Sequence, residues 1–239
     1  MINIAKIHYE IARQLNRIDS EWKANISVVD KDGYINQAKD ILLENYNAIA
    51  EKNRTLSDRL KSIEISNYKL AKIKSNSIYD TYQLPPDHYS TLKRYAIASG
   101  INCSITDRVT VHDTQKHKVD SSLIDPNWDP NFNWRETFSN EDKLGLNVYH
   151  DSKMIIKDVY IDYIRFIPDV AYVSGVKSAY ILPDGSTVQN DIHLDIDDSI
   201  VWRKIADLAL VLIKRDFDDN YTVNVDTILF SDRYLINQN

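Results

Sequence analysis

Apolar residues at Ile4, Ile7, Ile11, Leu15 and Ile18 recur every three or four positions. Lys6, Glu10, Arg13 and Arg17 occupy the rest of the cylinder. This spacing predicts an amphipathic helix from residue 2 to about residue 22. Asp30-Lys31-Asp32-Gly33 then predicts a turn. A second helix is expected from Tyr34 to Lys52, with Ile35, Ala38, Ile41, Leu42, Asn45 and Ile49 on one face. Thr55 or Ser57 would cap a third, shorter helix striped by Leu56, Leu60 and Ile63.

From Ile65 the period shortens towards two, and Tyr68, Leu70, Ile73, Ile78, Tyr79 and Tyr82 suggest extended chain. Leu84-Pro85-Pro86-Asp87 stops it. Pro86-Asp87 then predicts a short helix through Tyr95 and Ala98, ended by Gly100. Alternation returns in Cys103–Ile105, Arg108–Val111, Lys143–Tyr149 and Met154–Phe166, which read as strands. Val111–Lys118 reads as an exposed hairpin tip, and Asp125–Trp134 as a Pro/Asn-rich loop holding three aromatics. Lys177–Leu182 and Pro183-Asp184-Gly185 suggest a strand and a turn. Asp197 or Asp198 would cap a last helix whose apolar face is Ile200, Val201, Ile205, Leu208, Ala209, Leu212 and Ile213. The tail Tyr221–Phe230 is either a final strand or an extended arm.

The expected class is α+β. It comprises an N-terminal helical hairpin or bundle (1–64), a β-rich middle that is a sheet or a small barrel (65–190), and a long C-terminal helix with a terminal arm (191–239). All three would belong to one compact domain. The length of 239 residues and an apolar share of 43% support a sizeable core. No run approaches the length of a membrane-spanning helix, and the N-terminal residues lack a secretory pattern, so membrane insertion and export are not expected.

Composition then narrows the chemistry. The five glycines are scattered singly, which excludes a phosphate-cradling loop. The single Cys103 excludes an intramolecular disulfide, a CxxC pair and a cysteine zinc site. Fifteen tyrosines beside so few glycines favour an interaction protein, since tyrosine combines contact area with a polar handle. The net charge is −6. Residues 1–80 hold 13 basic and 11 acidic side chains, leaving 16 and 24 for the remainder. An acidic distal part argues against gripping nucleic-acid backbone.

Candidate reactive groups are sparse. His193, Asp195 and Asp197 would share one face of an extended segment and suit an oxygen-ligated cation, or they form a polar strand edge running into a helix cap. A metal-dependent hydrolase built on them is the least favoured reading, and no cofactor is expected. His8 reads as a structural residue of the first helix, and Cys103 as a buried small hydrophobe. The aromatic loop is the most distinctive candidate. Trp128, Phe132 and Trp134, with Arg135, can pack within the chain, anchor a subunit interface, or stack on a ligand such as a sugar. The stripe Ile4, Ile7, Ile11 and Leu15 can likewise serve intrachain packing or a neighbour, and Tyr221 and Phe230 mark an arm able to pair with another sheet edge.

Three segments carry a family resemblance: the paired N-terminal helices, Tyr82-Gln83-Leu84-Pro85-Pro86-Asp87-His88-Tyr89, and Val159-Tyr160-Ile161-Asp162-Tyr163-Ile164-Arg165-Phe166-Ile167-Pro168. The last is similar to an I-D-Y-I-R-x-P segment, with Phe166-Ile167 where one residue is usual. The order of elements resembles the head–tail connector (adaptor, or neck ring) proteins of short-tailed, crAss-like bacteriophages. The resemblance implies a non-enzymatic virion protein, assembled in the host cytoplasm and located in the neck. It implies a homo-oligomeric ring, commonly a dodecamer, docked beneath the portal protein and contacting further tail or ring proteins. Genomic DNA would pass through the channel without specific binding. Against this stands a second expectation from the residues alone, a carbohydrate-binding module using the loop 128–134.

Overall fold

The computed structural model describes residues 1–18, 26–46, 48–49, 54–101, 105–125, 129–176, 180–181 and 187–217. The chain divides into two compact units, Met1–Ile63 with the residues from Ile167 onward, and Glu64–Phe166. This differs from the linear three-part division, because the C-terminal helix folds with the N-terminal ones.

Among the described residues of the first unit, α1 (Ile4–Ile18), α2 (Val28–Glu44), α3 (Arg54–Leu60) and α5 (Ser199–Phe217) are the principal helices. Helix α5 packs against α1, α2 and α3. It is apolar on nearly every side, with Ile200 to Trp202, Lys204 to Ala206 and Leu208 to Ile213 all buried, as suits a central helix. The stripe Ile4, Ile7, Ile11 and Leu15 is wholly buried, as are Ile35, Ala38 and Leu42 of α2. Each such Ile or Leu is worth roughly 1.5–3 kcal/mol of burial. Asp198 caps α5, its carboxylate accepting from the Ile200 (2.8 Å) and Val201 (3.2 Å) N–H groups.

The expected turn at Asp30-Lys31-Asp32-Gly33 is instead inside α2. The reason is a capping box. Ser27 Oγ accepts from Asp30 N–H (3.0 Å), and Asp30 accepts from Ser27 N–H (3.3 Å). Gly33 is tolerated on the exposed side, where a Cβ would meet nothing. Helix α3 starts at Arg54, ahead of both Thr55 and Ser57.

The second unit is a curled eight-stranded sheet in the order β1-β8-β4-β5-β6-β7-β3-β2. The strands are β1 (Glu64–Lys69), β2 (Ala71–Ser75), β3 (Tyr79–Gln83), β4 (His88–Gly100), β5 (Thr106–Asp113), β6 (Glu136–Asp142), β7 (Gly145–Tyr149) and β8 (Met154–Arg165). The two edge strands, β1 and β2, are separated by the single residue Leu70, so the edges of the sheet meet. Leu70 N–H donates to Val159 O (2.9 Å) on β8. The Lys72 ammonium stitches the seam, donating to Ile156 O on β8 (3.2 Å) and to Asp80 on β3 (2.5 Å). Inside lie Leu70, Tyr82, Ala96, Val109, Leu146, Val159 and Ile161, among others.

Two expectations fail here. His88–Gly100 is a 13-residue strand, not a helix. Its Tyr, Thr and Ile content favours a pleated surface, and bulges against β8 blur its alternation. Val111–Lys118 is not a hairpin tip, because β5 and β6 are parallel. A parallel pair needs a crossover. Helix α4 (Val119–Ile124) lies on it. A small ladder, β9 (Tyr180–Ile181) with β10 (Thr187–Val188), follows in the first unit. The predicted Pro183–Gly185 turn, Cys103 and the 221–230 arm lie outside the described residues.

The β6–β7 turn illustrates how a carboxylate holds the sheet. Burial pushes the Asp142 carboxyl up, but donors from Asn147 Nδ2 (2.7 Å), Leu144 N–H (2.7 Å) and Gly145 N–H (3.2 Å) outweigh it, leaving the pKa below the ordinary Asp value of 3.8. A lowered folded-state pKa stabilises fully above the unfolded value and is lost as pH falls through the folded one. Urea unfolding from about pH 6 to about pH 2.5 should therefore show a steeper acid loss for the native chain than for Asp142→Asn. Parallel acid limbs would contradict this role.

Candidate interaction surface

The turn before β6 presents an aromatic outward. Asn131 and Glu136 exchange backbone hydrogen bonds at 3.0 and 3.2 Å, closing residues 132–135 into a tight loop. Asn131 Oδ1 accepts from Asn133 N–H (2.9 Å), and Arg135 N–H donates to Phe132 O (3.1 Å). Arg135 takes the left-handed conformation, φ 59°. Its carbonyl accepts from Thr110 N–H on β5 (2.8 Å), and its guanidinium pairs with Asp107 at 2.7 Å. Phe132 is half-buried against the core of the sheet. Trp134 is 56% exposed. The turn is thus anchored by one ring and offers the other.

The outer face of β4, β5 and β8 carries a second group, which the sequence reading missed. Tyr95 stacks on its cross-strand partner Tyr160, ring centroids 5.0 Å apart and 10° from parallel. The Arg108 guanidinium lies 3.8 Å over the Tyr95 ring, and Tyr95 OH donates to Asn67 Oδ1 (2.9 Å). Lys69 pairs with Asp158 at 2.6 Å nearby. The available signal was alternation: Tyr95 flanks the buried Ala96, and Tyr160 lies between the buried Val159 and Ile161.

Two of the three segments that carry the family resemblance, the one around Asp87 and the one around Tyr163, lie side by side. Tyr163 OH donates to Asp87 (3.0 Å), Phe166 N–H donates to Asp87 O (2.6 Å), and His88 is in register with Arg165. Burial and this hydrogen bond push the Tyr163 hydroxyl up to about 12. Burial pushes the His88 imidazole down, an effect that Glu141 opposes.

The remaining predicted residues fall out as follows. Ile4, Ile7, Ile11 and Leu15 are not a free interface, because they are 0% exposed within the first unit. An amphipathic stripe is the same whichever partner covers it, and here α5 does. Trp128, Tyr221 and Phe230 lie outside the described residues. His193, Asp195 and Asp197 do not converge on a cation. Among the described residues no group of three or more His, Cys, Asp or Glu is arranged to hold a metal. His193 Nδ1 instead accepts from Ile4 N–H (3.5 Å), Ile2 bridges Leu194, and Asp197 pairs with the Met1 ammonium. This strand edge fastens the N-terminus.

Among the described residues no helix is long and apolar enough to cross a membrane. No model of a known protein family matches the chain, and no curated protein matches it.

Proposed function

We propose that the protein is a virion structural subunit, one copy in a head-to-tail connector ring beneath a bacteriophage portal. In this reading copies of the chain close a ring, commonly of twelve, by heterologous contacts. One face meets the portal and the other recruits tail components, while genomic DNA passes through the channel without specific binding. The work is binding, not catalysis, and its place is the neck of the virion after assembly in the host cytoplasm. The observation that carries the reading is the exposed Trp134 held on a fixed turn beside Arg135, the residue types that anchor protein interfaces. The pairing of Asp87 with Tyr163 adds support, because it joins two of the three segments on which the family resemblance rests.

Replacing Trp134 by alanine should weaken assembly with little effect on folding. An exposed side chain contributes within about 0.5 kcal/mol to stability. Sedimentation and thermal melting measure both quantities, and a variant that melts early with assembly unchanged would contradict the assignment. A second reading also uses the exposed Trp134 ring, as a platform for a sugar. Specific binding on a glycan array, lost in Trp134→Ala, would favour that alternative.

A further inference from the structure

Strands β4 and β5 pair only over Tyr95–Ser99 with Thr106–Thr110. Beyond that they part. Strand β4 continues against β8 as far as His88, while β5 turns to pair with β6 through Asp113. Residues 91–94 of β4 and 111–113 of β5 thus face each other across an opening, without ladder bonds between them. The opening is a groove of about 330 Å³ lined by Lys93, Arg94, Tyr95, Arg108, His112 and Asp113, among others. Arg94 sits deep in it with its side chain only 10% exposed, donating to Glu141 (2.6 Å) and Ser139 (3.2 Å) and pairing with Asp113. Its Nε has no hydrogen-bond partner among the described residues. Lys93 and Arg108 are exposed at the rim.

An unpaired strand edge inside a sheet is a place for one more strand. Arg94 is already paired inside, so the exposed Lys93 and Arg108 at the rim set the charge preference, and they favour an acidic strand. The chain supplies a segment of that description. After Phe217 run 22 residues, 218–239, that begin with Asp218-Asp219 and include Asp226 and Asp232 against the single Arg233. Tyr221-Thr222-Val223-Asn224-Val225-Asp226 alternates apolar and polar as a strand requires. Extended, such a length reaches about 70 Å, enough to leave its own subunit. We propose that the β4–β5 groove is an acceptor for the C-terminal segment of a second copy of the chain, which adds a strand along residues 91–94 while its aspartates meet Lys93 and Arg108. This inference rests on the ring reading and names the contact that links neighbouring subunits.

The test places a photo-cross-linking benzoylphenylalanine at Leu92 of the full-length chain, mixes isotopically light and heavy copies, and maps the products by mass spectrometry. Thr110 serves as a second position should the first variant fold poorly. Oligomeric state is read in parallel by native mass spectrometry. The expected result is mixed light–heavy cross-links from the groove to residues 218–232. Lys93→Glu with Arg108→Glu should reduce their yield at least tenfold. Adding Asp218→Lys and Asp219→Lys should restore it. Cross-links confined to one copy overturn the inference. Rings that form with no groove-to-tail cross-link overturn it and leave the ring reading standing, whereas a monomer at all concentrations removes both. Salt-sensitive binding of a labelled single-stranded oligonucleotide in the groove, without tail cross-links, would likewise overturn it in favour of nucleic acid.

Discussion

Replacing Asp32 by alanine is expected to destabilise the helical unit by about 3–5 kcal/mol, the summed cost of leaving its buried hydrogen-bond partners without an acceptor. Asp32 is 1% exposed on α2. Its carboxylate accepts from Tyr180 OH (2.6 Å) and Tyr172 N–H (2.8 Å), and its other oxygen lies 2.6 Å from His8 Nε2. Alanine would leave Tyr180 OH and His8 without this partner in the interior and Tyr172 N–H without it in a half-buried site, and each unsatisfied buried polar group costs roughly 1–3 kcal/mol. Total stabilities run about 5–15 kcal/mol, so the loss is a large share. Asp32→Asn keeps the shape and two acceptor contacts and should fall between. Urea unfolding followed by far-UV circular dichroism measures the series. An Asp32→Ala midpoint equal to the native one would show that the network contributes nothing net.

The sheet has an equally sharp weak point. Gly145 opens β7 at φ 140°, and an added Cβ would lie 2.2 Å from Tyr82 O and 3.2 Å from Tyr82 C on β3. Both are backbone atoms, so no side chain can swing aside. Gly145→Ala therefore has to strain the dihedral, part β7 from β3 where Leu146 pairs with Tyr82, or both. Backbone strain and overpacking together cost roughly 2–6 kcal/mol. The adjacent Leu144 is 70% exposed, and Leu144→Ala should shift stability by less than about 0.5 kcal/mol. Thermal melts of the two variants should differ widely. Coincident melts would mean that the β3–β7 contact is looser than the structure has it.

The contrast between these two residues explains what the chain reveals unaided. Stripes such as Ile4-Ile7-Ile11-Leu15 announce a helix and its buried face, because one period of 3.6 repeats without interruption. They do not announce the partner, and so an intrachain seam against α5 reads the same as an interface. Asp32 reads as a turn residue because Asp-Lys-Asp-Gly is common turn chemistry, while the short Ser27–Asp30 capping box that extends the helix is a weaker mark. His88–Gly100 does not read as a strand because bulges interrupt its alternation. Long-range pairing is the least visible. The parallel β5–β6 ladder, the seam at Leu70, and the Tyr95–Tyr160 stack each join residues distant in sequence. Of the candidate interface, only Phe132, Trp134 and Arg135 were legible, since prolines and asparagines mark a surface loop and aromatics within it stand out.

Electron microscopy of the full-length protein, alone and co-expressed with a bacteriophage portal protein, tests the proposed ring most directly. A closed ring with a central channel, stacked on the portal in the co-expressed sample, is the predicted result. Particles the size of one 27.7 kDa chain in both samples, at every concentration tried, would contradict it.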